Sequence, residues 1–222
     1  MESKRRAGIK AVEYVKDGMI VGLGTGSTAY YAIEEIGKRV RQGLNISAVA
    51  TSVGTESLAE QFHIPLLDSN EVDHIDLTID GVDEIDPQLN AIKGGGGALL
   101  REKITASFSD EVIWIMDASK QVPSLGSFPL PVEVLPFGCS HVLRKLSDLR
   151  PSLRMDGDFP FVTDNGNYII DLHLGTPFPI TEISRRLSQI PGILETGLFL
   201  NMCSRIIVGT AESVKTIENN TQ

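Results

Sequence analysis

The chain has 222 residues, 41% of them hydrophobic, and a formal net charge of -9 at neutral pH. This acidic balance disfavours nucleic acids and anionic membranes as main partners, because both carry negative charge. The apolar runs fall far short of the ~20 residues of a membrane span, and the N-terminus lacks the apolar stretch of a signal peptide. Together with a count of only two cysteines, these features predict a cytoplasmic globular protein.

Strands and helices alternate through the first half of the sequence. Apolar residues at helical spacing predict a helix at the N-terminus, and short apolar runs between helix-like segments predict buried strands. These strands are Met19–Gly22, Asn45–Ala50, Ile75–Ile79 and Glu111–Met116. The alternation predicts βαβ units and therefore an α/β, Rossmann-like fold, with a mostly parallel sheet flanked by helices.

The pattern changes after Gly126. A proline-rich stretch at 127–138 is typical of a boundary or crossover rather than of a central strand. A helix at Cys139–Leu149 and a hairpin with its turn at Asn165–Gly166 follow. The polar tail after Val214 is predicted to fray.

This change predicts a second, smaller domain with an α+β arrangement. We place it at residues 129–204, inserted near the C-terminus. The Rossmann-like domain then consists of residues 1–128 together with 205–222.

A glycine-rich loop, Gly22–Thr28 (GLGTGST), connects a predicted strand to a predicted helix. Its free backbone N–H groups and the positive end of the helix dipole favour a phosphate. No lysine follows the last glycine, as a nucleotide P-loop requires. The permissive dinucleotide pattern fits, but the next strand ends at Thr51 without an acid for the ribose. The alternative is a glycine turn with an ordinary helix cap.

Four acids follow the strand that ends at Ile79, namely Asp80, Asp83, Glu84 and Asp86. They lie where open α/β sheets bind ligands. A calcium-binding loop does not fit, because a threonine and a proline occupy two of its ligand positions. The alternative is a solvated acidic turn.

Lys93 and Glu102 flank four consecutive glycines, Gly94–Gly97. The glycines predict a loop flexible enough to wrap a small molecule. Glu102 falls in the first turn of a predicted helix, and burial or acidic neighbours such as Asp80 and Asp83 could raise its pKa enough for a general base. The alternative is an exposed glutamate paired with a neighbouring lysine.

Further polar residues follow two other predicted strands. Lys120 could reach a phosphate or a substrate hydroxyl, or it is a surface lysine. Thr51, Ser52 and Thr55 could line the same pocket, although helix capping explains them equally well.

The motifs that carry these residues resemble those of the type A ribose-5-phosphate isomerases. The resemblance spans nearly the whole chain in order. The matching motifs are Gly24–Thr28 (GTGST), Asp80–Glu84 (DGVDE), Lys93–Gly96 (KGGG), Leu100–Lys103 (LREK), Asp117–Gln121 (DASKQ), Pro131–Val134 (PVEV), Thr163–Asn167 (TDNGN) and Pro191–Ile193 (PGI). Val82 replaces the alanine that is usual in the family.

The resemblance implies interconversion of D-ribose 5-phosphate and D-ribulose 5-phosphate through a cis-enediolate. Glu102 would be the base, Lys93 would stabilise the developing oxyanion, and Asp80 and Asp83 would assist ring opening and hydroxyl proton transfer. The substrate-binding residues implied are Thr25, Gly26, Ser27, Thr28, Asp80, Gly81, Val82, Asp83, Lys93, Gly94, Gly95, Gly96 and Lys120.

The resemblance also bears on cofactors and partners. It implies no redox cofactor, no required metal, and a homodimer or tetramer formed through the small domain. Two other classes share the general fold by family analogy, namely phosphosugar-sensing domains and acyl-CoA transferases. A non-catalytic sensor would keep the phosphate loop and lose the base, whereas this sequence keeps both Glu102 and Lys93.

Overall fold

The computed structural model of the chain describes residues 1–219 and divides it into two compact units. The first comprises Met1–Val82, Arg101–Lys120 and the segment from Asn201, and the second comprises Asp83–Leu100 and Gln121–Leu200. None of the helices found in the described range has both the length and the apolar character needed to span a bilayer.

The regular elements are short and numerous. The helices are α1 (Glu2–Val12), α2 (Ala29–Arg41), α3 (Val53–Gln61), α4 (Leu99–Ser107), α5 (Cys139–Lys145) and α6 (Ile180–Ser188), with 3-10 turns at Ser69–Glu71, Ala118–Lys120 and Ser147–Leu149. The strands are β1 (Ile20–Leu23), β2 (Ser47–Ala50), β3 (Ile75–Gly81), β4 (Glu84–Ile85), β5 (Ala91–Ile92), β6 (Ser109–Asp117), β7 (Leu130–Val134), β8 (Pro151–Leu153), β9 (Met155–Asp156), β10 (Phe159–Pro160), β11 (Tyr168–Leu172), β12 (Ile193–Thr196), β13 (Leu198–Phe199), β14 (Arg205–Gly209) and β15 (Val214–Glu218).

The first unit contains a six-stranded sheet with the order β15-β14-β6-β3-β1-β2. Its strands pair in parallel except for β15, which is antiparallel to β14. Aliphatic side chains of the central strands and of α1 and α2 form its core, among them Val21, Leu77, Ile113, Ala11 and Ile36. Full burial of each large aliphatic side chain contributes about 1.5–3 kcal/mol. The α/β fold predicted from the sequence is confirmed.

The second unit is built on an antiparallel sheet with the order β12-β7-β11-β8. Its core joins these strands to α5 and α6, through residues that include Val132, Ile170, Leu172, Val142 and Leu187. A three-stranded sheet, β13-β5-β4, and a two-stranded sheet, β10-β9, belong to the same unit. This mixture of short helices and antiparallel strands is the α+β arrangement predicted for the smaller part.

The proline-rich stretch was predicted as a crossover, and this prediction is wrong. It contains β7, whose five residues are all buried between β12 and β11. Proline has no N–H to donate to a neighbouring strand. Pro131 still bonds through its carbonyl, which accepts the Gly197 N–H at 2.7 Å.

One further local prediction is wrong, and another is confirmed. Val214–Glu218 does not fray but pairs with β14 as an edge strand; the last three residues of the chain lie outside the described residues. The turn at Asn165–Gly166 is confirmed, with Gly166 at φ +77°. Its second arm, β11, pairs with β7 and β8, whereas the segment before the turn contributes an isolated bridge from Val162 to Tyr168.

The two compact units do not follow the division proposed from the sequence. Residues 83–100 and 121–128 group with the second unit, and residues 201–204 with the first. The reason is hydrogen bonding within the second unit. There β5 pairs with β4 and β13, and the Glu84 carboxylate accepts the N–H groups of Gly126 and Phe128.

Candidate active site

The loop after β1 approaches Asp80 so closely that only glycine fits at its start. A Cβ on Gly24 would lie 2.1 Å from Asp80 Oδ1 and 2.5 Å from the Asp80 Cα. The same carboxylate oxygen accepts the N–H groups of Thr25 at 3.0 Å and Gly81 at 2.7 Å. Asp80 is fully buried. The Asp80 carboxylate, near the end of β3, therefore holds the loop in place.

A cluster of hydroxyl groups anchors Thr25. Its Oγ1 lies 2.8 Å from Thr51 Oγ1, 2.8 Å from Ser52 Oγ and 3.1 Å from Thr55 Oγ1. Ser52 also caps α3 by accepting the Thr55 N–H at 3.0 Å. Capping is therefore confirmed for Ser52, whereas Thr51 is fully buried and donates to the Leu23 carbonyl at 2.9 Å. Because its hydroxyl and N–H are engaged, Thr25 holds the loop in shape.

A cavity of about 470 Å³ opens beside this loop. Gly26, Ser27, Ser52 and Thr55 are among its lining residues. Thr28 is the N-cap of α2, and its side chain makes no capping hydrogen bond within residues 1–219. The cavity therefore lies at a helix N-terminus, where backbone N–H groups and the dipole favour an anion.

Positive charge reaches this loop from α1. Lys4 Nζ donates to Ser27 Oγ at 2.9 Å. Lys4 was not predicted from the sequence, although a signal was present. Lys4 precedes the buried residues Ala7 and Gly8 by one helical turn and so continues the face that α1 turns inward.

Lys120 lies half-buried in the 3-10 turn after β6, close to Asp117. Burial raises the pKa of Asp117, but hydrogen bonds from Ser119 and the charges of Lys4 and Lys120 outweigh it, so the net shift is downward. Asp117 therefore stays ionised near neutral pH. Both lysines contribute positive potential to the same region of the first unit.

Glu102 occupies the first turn of α4 and is 5% exposed. The alternative of an exposed glutamate at a helix start is therefore wrong. Burial disfavours the charged form of a carboxylate, whereas the helix N-terminus favours it. A carboxylate with little solvent around it has the placement expected of a general base.

The second unit holds the other predicted residues. Asp83 is half-buried, and its Oδ2 accepts the Gly95 N–H at 2.8 Å. Lys93 is 2% exposed, with Nζ 5.2 Å from the centre of the Phe199 ring. Gly94 is buried, whereas Gly95 and Gly96 are exposed. The second unit thus holds a buried lysine and a half-buried carboxylate on either side of exposed glycine backbone.

Three of the four glycines in this loop lie close to other groups of the second unit. A Cβ on Gly94 would lie 2.7 Å from Leu99, one on Gly95 would lie 2.8 Å from Asp83, and one on Gly97 would lie 2.4 Å from Phe161. The glycines therefore permit close approach of neighbouring groups.

The remaining acids of the run have structural partners within the second unit. Glu84 accepts the N–H groups of Gly126 at 2.8 Å and Phe128 at 2.7 Å. Asp86 accepts N–H groups from Gln88 and Asn90. The solvated acidic turn does not describe either side chain, because both are buried. Val82, the departure from the family motif, is also buried.

A group of possible metal ligands occurs elsewhere in the first unit. His74, Asp76 and Asp110 each place one ligand atom within 4.8 Å of the others. Asp76 already accepts the Ile20 N–H at 2.6 Å, and both His74 and Asp110 are exposed. The group includes none of the predicted site residues.

Comparisons with known proteins agree on one family. Residues 47–213 match the family model described as ribose 5-phosphate isomerase A (phosphoriboisomerase A). The chain is 52% identical over 218 residues to ribose-5-phosphate isomerase A of Limosilactobacillus reuteri, covering 96% of each. It is 50% identical over 220 residues to that of Streptococcus gordonii, covering 98% of each.

A solved structure is similar in fold as well. It is a D-ribose-5-phosphate isomerase in complex with phospho-erythronic acid, with a TM-score of 0.94 and 38% identity, and the match covers 98% of both chains.

Proposed function

The chain belongs to the ribose 5-phosphate isomerase A family, and from this premise we propose which of its residues carry the reaction. It interconverts D-ribose 5-phosphate and D-ribulose 5-phosphate. These residues fall into three groups: those that bind the phosphate, those that move protons, and those that stabilise charge. The buried Glu102 carboxylate in the first turn of α4 is the observation that carries the assignment.

The phosphate end of the substrate is assigned to the loop before α2. Gly26, Ser27 and Thr28 supply N–H and hydroxyl donors at the helix N-terminus, and Lys4 and Lys120 supply positive charge. Thr25 contributes by anchoring the loop. A similar isomerase has been solved with a phosphorylated acid, phospho-erythronic acid, which supports a ligand of this class here.

The chemical steps are assigned as proton transfers. Glu102 removes the proton from C2 of the open-chain aldose, and the electron pair forms a C1–C2 double bond while the carbonyl oxygen on C1 becomes negative. Lys93 stabilises that oxyanion. Glu102 then returns the proton to C1, while the C2 hydroxyl gives up its proton and becomes the ketone, and the negative oxygen on C1 takes up one proton and becomes a hydroxyl. Asp80 and Asp83 assist ring opening and the hydroxyl proton transfers.

This cycle is redox-neutral, since the carbon that is reduced and the carbon that is oxidised belong to the same molecule. It therefore needs no redox cofactor. The proposal likewise includes no metal. We expect turnover to be unchanged by a chelator such as EDTA, and a loss of activity that added divalent metal restores would contradict that part.

The base assignment is tested by Glu102→Gln. The amide keeps the shape of the side chain and loses its basicity, so kcat should fall by about 10²–10⁴-fold. Binding of phospho-erythronic acid, measured by calorimetry, should remain within a few-fold. Glu182→Gln is the matched control, because Glu182 also lies in the first turn of a helix, α6, but is exposed.

The outcome separates the isomerase from a non-catalytic phosphosugar sensor. Near-normal turnover in Glu102→Gln would remove Glu102 as the base. If the unmodified protein bound the ligand without turning it over, the sensor would be favoured. The family relationship favours the isomerase.

Assembly and location stay predictions. We infer a cytoplasmic homodimer or tetramer, in keeping with the low cysteine count and the family resemblance. Light scattering on the purified protein measures the mass directly. A monomer at micromolar concentration would contradict the assembly prediction.

A further inference from the structure

The glycine loop at 94–97 has a conformation that glycine alone adopts readily at two positions. Gly94 has φ +106° and Gly97 has φ +79°. The Gly97 N–H donates to the Gly94 carbonyl at 3.0 Å and closes a tight turn. Glycine has the largest choice of backbone conformations, so something outside the loop must select this one.

Arg154 contacts this loop directly. It follows β8, and its backbone is held on both sides, since its N–H donates to the Ile169 carbonyl at 2.8 Å and its carbonyl accepts the Phe161 N–H at 2.9 Å. Its Nη1 donates to the Gly94 carbonyl at 2.9 Å and to the Gly95 carbonyl at 3.1 Å. Charge-assisted bonds of this kind are stronger than neutral ones.

The rest of the guanidinium is held in place behind the loop. Nε and Nη2 donate to the two carboxylate oxygens of Asp171, at 2.9 and 2.5 Å. The side chains of this pair are only 15% and 16% exposed. The Arg154 guanidinium carbon also lies 5.8 Å from the centre of the Phe161 ring, which covers Gly97. Asp171 therefore fixes the orientation of the Arg154 guanidinium.

The peptide between Gly94 and Gly95 transmits this orientation to Asp83. A trans peptide is planar, and its C=O and N–H point in opposite directions. Arg154 binds the carbonyl of this peptide, on Gly94, and Asp83 Oδ2 accepts its N–H, on Gly95, at 2.8 Å. Fixing one side of the plane fixes the other.

We propose that Arg154 is a positioning residue for the isomerase: it orients the Gly94–Gly95 peptide so that the Gly95 N–H holds the Asp83 carboxylate. Lys93 precedes Gly94 directly, so the same clamp fixes the backbone from which the Lys93 side chain extends. The inference rests on the roles proposed above for Asp83 and Lys93. It adds a residue that touches neither the substrate nor the reacting atoms.

The decisive variant is Arg154→Met, which keeps the aliphatic stem and removes every donor. Misplacement of catalytic groups by about 1 Å can cost 10²-fold in rate, so we expect kcat to fall about 10–100-fold. KM and the dissociation constant for inorganic phosphate should stay within about 3-fold, because lost orientation acts on kcat and not on ground-state binding.

Arg186→Met is the matched control. Arg186 forms the same two-point pair with Asp148, at 2.6 and 2.7 Å, and also donates to a carbonyl, that of Lys145. It belongs to the second unit but contacts no residue of the glycine loop in the described chain. We expect wild-type kcat in this variant.

Amide hydrogen exchange tests the clamp without reference to activity. Exchange of the Gly95 amide should accelerate at least about 10-fold in Arg154→Met, because the Gly94–Gly95 peptide is no longer held with its N–H toward Asp83, and should be unchanged in Arg186→Met. Unchanged Gly95 exchange together with wild-type kcat in a folded Arg154→Met protein would overturn the proposal. Near-normal turnover in Asp83→Asn would instead contradict the role given to Asp83.

Two milder variants decide the matter if Arg154→Met does not fold. Arg154→Lys keeps the charge but cannot reproduce the planar fork, and Asp171→Asn weakens the support behind it without touching the loop. We expect kcat to fall about 3–10-fold in each. Wild-type kcat in both would overturn the proposal.

Discussion

Two glycine-rich loops differ in what their glycines do. The loop at 24–28 has a cavity beside it, and Gly26 has φ +108° with open space for 4 Å around the position that a Cβ would occupy. The loop at 94–97 is packed against Asp83, Leu99 and Phe161. In the first loop Gly26 leaves the backbone open beside the cavity, whereas in the second loop the glycines let protein groups approach the backbone. A run of glycines alone does not distinguish these two uses.

Gly24 is the exception within the first loop, and Gly24→Ala should have the largest effect. Its Cβ would overlap Asp80, including the Asp80 backbone, and neither group can move without disturbing β3. We expect a loss of about 1–3 kcal/mol in the free energy of unfolding and a fall in kcat of about 100-fold.

Gly54→Ala is the control for this variant. Gly54 lines the same cavity, lies in α3, and has its nearest neighbour 3.8 Å from a Cβ. Alanine there should be neutral or stabilising by about 0.5–1 kcal/mol. Urea unfolding and turnover measure both variants. Equal behaviour of the two would show that Asp80 does not restrict the loop.

Gly97→Ala should have the next largest effect on stability and tests the packing of the second loop against Phe161. The substitution combines an unfavourable φ of +79° with overlap of the Phe161 ring. Strain at positive φ costs about 1–2 kcal/mol, and the overlap adds to it.

Gly157→Ala separates the two contributions. Gly157 has φ +60° in the same unit, with nothing within 4 Å of a Cβ. We expect thermal denaturation to show only the backbone strain for Gly157→Ala and a larger loss for Gly97→Ala. In the double variant Gly97→Ala/Phe161→Ala the two losses of stability should be less than additive, because removing the ring removes the overlap. Equal stabilities of Gly97→Ala and Gly157→Ala would show that the Phe161 ring moves aside at no cost in stability.

Much of the fold follows from local sequence patterns. The alternating strands and helices of the first unit are encoded in short apolar runs, and the turn at Asn165–Gly166 has its own local signal. β7 could not be predicted, because its proline, Pro131, contradicts strand propensity and the strand is explained only by its pairing with β11 and β12. The grouping of residues 83–100 with the second unit likewise depends on partners distant in sequence, such as β13.

The residues of the candidate site also divide into those that a local motif predicts and those that depend on partners distant in sequence. The residues of the glycine and acidic motifs were found from the sequence because each motif is local. Lys4 and Arg154 were missed because their partners, Ser27 and Gly94, lie 23 and 60 positions away. Glu84 and Asp86 looked equivalent to Asp80 and Asp83 in the sequence. Only the folded chain shows which N–H groups each carboxylate accepts: Glu84 that of Gly126, Asp86 that of Gln88, and Asp80 that of Thr25.

We propose that the first loop binds the phosphate and that the second serves the chemistry. This proposal is tested most directly by the dissociation constant of inorganic phosphate for Lys4→Met and Lys93→Met, measured side by side by calorimetry. We expect about 10-fold weaker binding for Lys4→Met, since a charged donor is lost, and unchanged binding for Lys93→Met. Weaker binding for Lys93→Met, with Lys4→Met unchanged, would contradict it.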